Sequence, residues 1–168
     1  FNNSNSQQLV MRGDHADRSV IKVGDTYWAS ATTSNWFPAY PLLKSKDLIS
    51  WKQEGFVFTK MPDWVDYYFW APEISYDNEK VYIYYSAHKK DGNLCVGIAS
   101  ADKPEGPYTD HGPIICQPVG SIDAFPMRDE AGKIVAPDQF IGAAERYGLT
   151  PNIDRWMIEH ALRWLVSE

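Results

Sequence analysis

The amino-acid sequence predicts a mainly β protein, assembled from repeated small antiparallel sheets and ending in a helical hairpin. Acidic residues open strand-like segments at Asp17, Glu73 and Asp123, at intervals of 56 and 50 residues. Apolar alternation typical of strands continues to about residue 133, and helical spacing replaces it afterwards. Repeats of roughly 40 to 50 residues made of short strands are typical of β-propeller blades. The sequence therefore predicts an incomplete β-propeller of about two and a half four-stranded antiparallel blades.

The first two predicted blades follow the same plan. The first opens with a hairpin around Gly24-Asp25, a turn pair between β-rich flanks, and its strands are expected at 20–23, 27–30, 42–45 and 51–58. The second has strands expected at 73–76, 81–86, 94–100 and 108–114. A third unit begins at residue 121 and reaches a turn near 129–132.

The C-terminal segment has a different pattern. One helix is expected to end at Gly148, and a second to begin with Thr150 as N-cap and Pro151 in its first turn. The apolar residues of the second helix recur at intervals of three and four: Ile153, Trp156, Met157, Ala161, Trp164 and Leu165. The sequence thus divides into a propeller-like region, 1–132, and a helical hairpin, 133–168, which is too short to bury a core and is expected to dock on a sheet edge.

Composition restricts the classes of function. The chain has 168 residues, of which 44% are hydrophobic, and a formal net charge of -6 without a basic stripe, which argues against a nucleic-acid partner. No apolar run approaches the length of a membrane span, so no membrane partner is expected. Although the first residues lack signal-peptide features, we expect an extracellular or periplasmic protein, with a cytoplasmic one as the alternative. Cys95 and Cys116 are expected to be inert buried thiols.

The repeated acids favour an active site. The first strand of each propeller blade runs beside the central axis, so residues that open these strands converge on one mouth of the channel. Clustered carboxylates repel one another unless a cation, a shared proton or a substrate relieves the repulsion. Glycoside hydrolysis uses such carboxyl groups as general acid and as base or nucleophile. For any single acid, capping of a turn is the simpler interpretation; the recurrence favours a shared site.

Five motifs, in this order, resemble glycoside hydrolase family 43: residues 13–20, 24–28, 45–51, 70–73 and 120–123. The resemblance covers about residues 11 to 133. It implies a five-bladed propeller and inverting hydrolysis of xylose- or arabinose-containing glycans, as in xylan degradation. By this resemblance Asp17 is the general base, and Asp123 is the carboxylate that orients the general acid and tunes its pKa. The family's acid is a Glu in the blade after Asp123, which this sequence does not include, so impaired activity is expected.

Two features depart from that family: the residue after the proposed base, and a propeller of only about two and a half blades. Arg18 stands where the family usually has proline, and its cation is expected either to lie beside Asp17, where it would hold that carboxylate ionised or block the sugar, or to point into solvent. The segments 134–141, 144–149 and 153–156 resemble an internal piece of an EAL-type cyclic-di-GMP phosphodiesterase, which carries none of that family's functional residues. A fusion of two fragments is therefore one alternative.

Five further residues are candidates for substrate binding: His15, Trp36, Phe37, Trp70 and Glu73. The aromatic rings can stack on a sugar, with core packing as the alternative interpretation. Glu73 is expected to line the site and could substitute as the acid, while His15 could contact a sugar or a central cation. No zinc-spaced His pair, phosphate loop or nucleophilic serine motif occurs, so no cofactor is expected beyond a structural cation in the channel.

The expected partner is an oligosaccharide or polysaccharide, and open sheet edges are expected to allow self-association. Two other functions stay open at this stage. A carbohydrate-binding fragment without catalysis would keep the aromatic residues, and a cyclic-di-GMP signalling fragment is the weaker alternative.

Overall fold

The computed structural model describes residues 13–128, 134–135, 148, 151 and 155. The chain divides into two compact units, Phe1–Phe125 and Pro126–Glu168. The domain boundary that the sequence suggests, at 132/133, stays a prediction.

The first unit consists of two four-stranded antiparallel sheets. In the first sheet, β1 (Ser19–Val23), β2 (Thr26–Ser30), β3 (Ala39–Ser45) and β4 (Lys52–Phe58) lie in chain order. The second sheet has the same order, with β5 (Val65–Asp77), β6 (Lys80–Lys89), β7 (Leu94–Ala101) and β8 (Thr109–Ile115). These sheets are the two predicted blades, which confirms the mainly β class and a partial β-propeller.

In the second unit, the short strands β9 (Met127–Arg128) and β10 (Ile134–Val135) form an antiparallel pair. Most of the predicted C-terminal helical hairpin lies outside the described residues, which include too few of its positions to test it. The part of the chain that is described includes no helix with the length and hydropathy of a membrane-spanning segment.

Strand β5 differs most from its prediction, because it begins at Val65 rather than at residue 73. Its pairing with β6 shifts register between Val65 and Glu73, and Tyr68 and Ala71 have φ values of 59° and 39°. A regular strand alternates apolar and polar residues, and an irregular strand does not need this alternation. The aromatic residues before Glu73 lack the alternation, so the sequence did not predict a strand there, although the segment pairs with β6.

The core lies between the two sheets and is rich in aromatic rings. Tyr40 packs on Phe58, Phe69 and Tyr85 with ring centroids 5.6 to 6.0 Å apart. Its hydroxyl oxygen lies 3.2 Å from the backbone oxygen of Trp70 and 3.0 Å from that of Ser86, so these two acceptors share its single hydrogen. Complete burial raises the pKa of the Tyr40 phenol well above its ordinary value, so it stays a donor. The Tyr40 side chain, from β3, therefore links the first sheet to strands β5 and β6 of the second.

One family-like motif, residues 45–51, forms a tight turn between β3 and β4. The Asp47 carboxylate accepts hydrogen bonds from the backbone N–H groups of Ile49 at 2.9 Å and Ser50 at 2.7 Å, and from the Ser45 hydroxyl at 3.0 Å. These bonds stabilise the charged form and lower the pKa of Asp47 to about 2, with the Ser50 bond the largest cause. The motif is therefore structural.

The two cysteines form a disulfide, so the expectation of two inert thiols is wrong. Strands β7 and β8 pair Val96 with Ile115, and this register brings the adjacent Cys95 and Cys116 together. Sequence spacing did not show the pairing, because the cysteines are 21 positions apart on a hairpin whose register the sequence does not specify.

Candidate active site

Three carboxylates line one open cavity of about 270 Å³. Asp17 precedes β1, Glu73 lies within β5, and Asp123 follows β8. The remaining wall consists of Ala71, Pro72, Ala124 and Phe125. The structure therefore brings together the three acids of the repeat.

The backbone of this cavity is strained at three of its lining residues. Asp17, Ala71 and Asp123 have φ values of 50°, 39° and 57°, in the left-handed region that residues other than glycine seldom adopt. Such conformations persist only where the surroundings enforce them, and they cluster at binding and catalytic sites. Two of the three, Asp17 and Asp123, carry the carboxylates of the cavity, which favours a functional interpretation.

Asp17 is exposed, and its carboxylate is fixed on one side. The Thr32 hydroxyl donates to Asp17 Oδ2 at 2.7 Å, and the Thr32 backbone N–H donates to the oxygen of Ala16 at 3.0 Å. Among the described residues, no ion pair joins Arg18 to Asp17. The Arg18 side chain is exposed to solvent, one of the two orientations that the sequence left open.

Glu73 is half-buried, and its burial raises the pKa of its carboxyl. A hydrogen bond with the Ser19 hydroxyl acts in the opposite direction and lowers that pKa. The Ser19 oxygen also accepts the backbone N–H of Ile74 at 3.1 Å. A carboxyl with a raised pKa can hold a proton in a sugar site, which is compatible with donation to a sugar oxygen.

Asp123 is exposed and lies on the loop that follows the disulfide. Its backbone N–H donates to the hydroxyl of Ser86, a buried residue of β6, at 3.0 Å. Two residues earlier, the Ser121 N–H donates to the oxygen of Leu94 at 2.8 Å. The loop is thus attached to two strands of the second sheet, β6 and β7.

The other predicted binding residues do not line this cavity. Trp70 is half-buried, donates from Nε1 to the Ser34 hydroxyl at 3.2 Å and stacks on Tyr68 at 4.3 Å. Trp36 and Phe37 lie in the loop between β2 and β3 with 81% and 39% of their surface exposed. His15 is half-buried two positions before Asp17. Their roles in binding a sugar stay predictions.

Four residues of the site were missed by sequence reasoning: Ser19, Thr32, Ser86 and Phe125. Three are hydroxyl residues whose partners lie 15 to 55 positions away in the chain, so no local pattern marks them. Phe125 was also missed, although it lies only two positions after Asp123 and the repeat could have indicated it.

A larger cavity, of about 460 Å³, lies between the end of β4 and strand β8. Two carboxylates line it, Asp63 and Asp110, and Asp110 already accepts hydrogen bonds from Trp64 Nε1 at 3.2 Å and from the Tyr85 hydroxyl at 2.6 Å. Asp110 is therefore part of the packing on the second sheet, whereas the smaller cavity brings three carboxylates together. Among the described residues, no cluster of three or more His, Cys, Asp or Glu could hold a metal ion. The structural cation stays a prediction.

The family model "Glycosyl hydrolases family 43" matches residues 6–135. This chain belongs to glycosyl hydrolase family 43. A xylan 1,3-β-xylosidase of Vibrio sp is 30% identical over 121 residues, 64% of this chain and 22% of that protein. Xylosidase/arabinosidase 43B of Humicola insolens is 28% identical over 136 residues, 74% of this chain and 24% of that protein. Both of these relatives are named for glycosidase activities.

A solved family-43 structure, a mutant of BlXynB from Bacillus licheniformis, has a TM-score of 0.63 and 30% identity, covering 80% of this chain and 28% of that one. This family-43 chain thus spans about a quarter of the length of these relatives. Separately, a stretch of 41 residues is 38% identical to cyclic di-GMP phosphodiesterase PdeF of Escherichia coli, over 24% of this chain and 6% of that protein. This short match is only a weak hint of the EAL-like piece.

Proposed function

We propose that this chain contributes the general base, Asp17, to a glycosidase site that hydrolyses xylose- or arabinose-containing glycans with inversion. The observation that carries the proposal is the convergence of Asp17, Glu73 and Asp123 on one cavity. Carboxyl groups on both faces of a glycosidic bond are the machinery that this hydrolysis requires. The named activities of the relatives, on xylosides and arabinosides, agree with the chemistry.

In this mechanism Asp17 removes a proton from water as the water oxygen attacks the anomeric carbon. The bond to the leaving oxygen breaks, and the leaving oxygen takes the electron pair and, in a glycan, a proton from the general acid. Asp123 would orient the general acid and tune its pKa. Inversion requires base and acid carboxyl groups about 6.5 to 9.5 Å apart, which leaves room for the attacking water.

Aryl glycosides separate the base from the acid. A dinitrophenolate departs without protonation, so dinitrophenyl β-xyloside and α-arabinofuranoside should report Asp17 even where protonation is impaired. Xylobiose, whose leaving alcohol needs a proton, should react much more slowly.

We expect Asp17→Asn to lower turnover of the aryl glycosides by roughly 100-fold or more, the usual size of a general-base contribution. Asp14→Asn is the matched control, because Asp14 is exposed and does not line the cavity. Proton NMR of the first sugar released distinguishes inversion from retention. Equal rates for the wild type and Asp17→Asn would rule out the proposed base.

A non-catalytic carbohydrate-binding fragment is the second candidate, favoured by the exposure of 81% of Trp36. Binding of xylo-oligosaccharides without turnover, lost in Trp36→Ala, would support it. The cyclic-di-GMP fragment has only the short PdeF match in its favour, and calorimetric titration with the dinucleotide tests it.

We also propose export to an oxidising compartment, where the Cys95–Cys116 disulfide would persist. Self-association through open sheet edges is a further proposal. The solution mass of the purified chain tests it, because edge pairing would give at least a dimer.

A further inference from the structure

Three hydrogen bonds meet at Thr32, a half-buried residue just after β2. Its backbone N–H donates to the oxygen of Ala16, the residue before the proposed base, at 3.0 Å. Its hydroxyl oxygen lies 2.7 Å from Asp17 Oδ2 and 2.8 Å from the backbone nitrogen of Ala71. Thr32 therefore links the segment that carries Asp17 to strand β5 of the other sheet.

The direction of these bonds follows from counting protons. The Ala71 N–H can only donate, so it occupies a lone pair of the Thr32 oxygen. The hydroxyl has a single hydrogen, and the neighbouring carboxylate oxygen is the acceptor within reach. The hydrogen therefore points at Asp17 Oδ2. A β-branched side chain has few χ1 rotamers, which restricts this hydroxyl further.

The bridge leaves the two oxygens of Asp17 in different states. Oδ2 is held by Thr32, whereas Oδ1 receives no hydrogen bond from another described residue. A base needs one oxygen directed at the attacking water, within hydrogen-bond distance and in a fixed orientation. Because Asp17 is exposed, the bond from Thr32 is the contact that restricts rotation of its carboxylate.

We propose that Thr32 is the positioning residue of Asp17, holding Oδ2 so that Oδ1 takes the proton of the attacking water. This inference rests on the proposed function. Ala71 lines the same cavity, and its backbone N–H donates to the Thr32 hydroxyl oxygen. This bond leaves the hydroxyl hydrogen to point at Asp17. Thr32 itself does not touch the substrate and acts through Asp17.

The test uses the whole chain and the dinitrophenyl glycosides, which do not depend on an acid. Thr32→Val keeps the shape of the side chain and removes the hydroxyl, whereas Thr32→Ser keeps the hydroxyl. Thr33→Val is the matched control: the adjacent Thr33 hydroxyl accepts the N–H of Tyr40 at 3.4 Å and does not contact Asp17. Thermal unfolding followed by circular dichroism checks that each variant folds, and Thr32→Ala replaces the valine variant if that one does not.

For Thr32→Val we expect kcat to fall roughly 10-fold or more with KM changed less than about twofold, because positioning acts on the transition state. Thr32→Ser should recover kcat to within about threefold of wild type, and Thr33→Val should retain it. If Thr32→Val keeps the kcat of the wild type while Asp17→Asn is inactive, the positioning role is overturned and the proposed function stays intact. Equal losses in the valine variants of Thr32 and Thr33 also overturn it. A wild-type chain without turnover overturns both.

Discussion

The backbone N–H of Asp123 donates to the hydroxyl of Ser86 at 3.0 Å, joining a loop after β8 to a buried position of β6 that lies 37 residues earlier. The bond attaches the third carboxylate to the centre of the second sheet. It also places Asp123 close to the point where the Tyr40 hydroxyl bonds the Ser86 backbone oxygen. The position of this acid therefore depends on the core as well as on its own loop.

Ser86→Ala should lower the free energy of unfolding by about 1 kcal/mol, the usual net value of one hydrogen bond. It should also speed hydrogen exchange at the Asp123 amide. Ser30→Ala is the matched control, because the equally buried Ser30 hydroxyl has no hydrogen-bond partner among the described residues. That variant should be neutral or slightly more stable. Equal destabilisation by both changes would show that the bond to Asp123 contributes nothing.

Glu73→Gln should change the dependence of stability on pH. Burial raises the pKa of Glu73 above its ordinary value of 4.5, so the native state favours the protonated form. The stability that this carboxyl contributes is complete below the unfolded-state pKa and is lost as pH rises through the higher native pKa. The melting temperature of Glu73→Gln, relative to wild type, should therefore rise between about pH 4 and about pH 7.

Glu79→Gln is the control for that measurement, since Glu79 is exposed in the turn between β5 and β6 and lacks the burial that acts on Glu73. A melting-temperature difference for Glu73→Gln that stays constant over this pH range would contradict the prediction.

Gly97→Ala should destabilise the packing between the sheets. A Cβ atom at this position would lie 2.6 Å from Trp64 Cζ2 and 2.6 Å from Tyr85 Cζ, closer than carbon atoms pack. Overpacking of this kind costs about 1 to 3 kcal/mol, measurable as a lower urea midpoint. Gly55→Ala, in β4, is the control, because no atom lies within 4 Å of its added Cβ. A Gly97→Ala variant as stable as Gly55→Ala would refute the packing argument.

Removal of the disulfide in a double variant, Cys95→Ala with Cys116→Ala, should cost about 3 kcal/mol, as expected for a closed loop of this size. Hydrogen exchange at Ser121 and Asp123 should become faster, because the loop would keep only its hydrogen bonds. Treatment of the wild type with a dithiol reductant should reproduce both effects. Unchanged stability in the double variant would mean that the thiols are not paired in solution.

Much of the fold could be predicted from the sequence because the chain repeats itself. The hairpin around Gly24-Asp25 and the alternation in β6 are local signals. The structure has the β1–β2 pair and the turn between β5 and β6 where the sequence predicts them. The early start of β5 could not be predicted, because the left-handed residues Tyr68 and Ala71 interrupt the two-residue alternation by which a strand is recognised. The repeat likewise pointed to all three acids.

The supporting hydroxyls of the site could not be predicted. Ser19, Thr32 and Ser86 are ordinary strand and loop residues in the sequence, and their importance comes only from contacts made after the two sheets pack. The disulfide was missed for a similar reason, because it depends on the register of β7 and β8. Long-range register and side-chain direction are properties of the folded state.

Tyr40 has a consequence for how this unit loses its structure. Its ring lies in the shared core, and its hydroxyl holds backbone oxygens of both β5 and β6. Withdrawing this one phenol would remove the hydrogen that the two carbonyls share and open the aromatic layer on both sides. We therefore expect the two blades to unfold as a single cooperative element rather than as independent repeats.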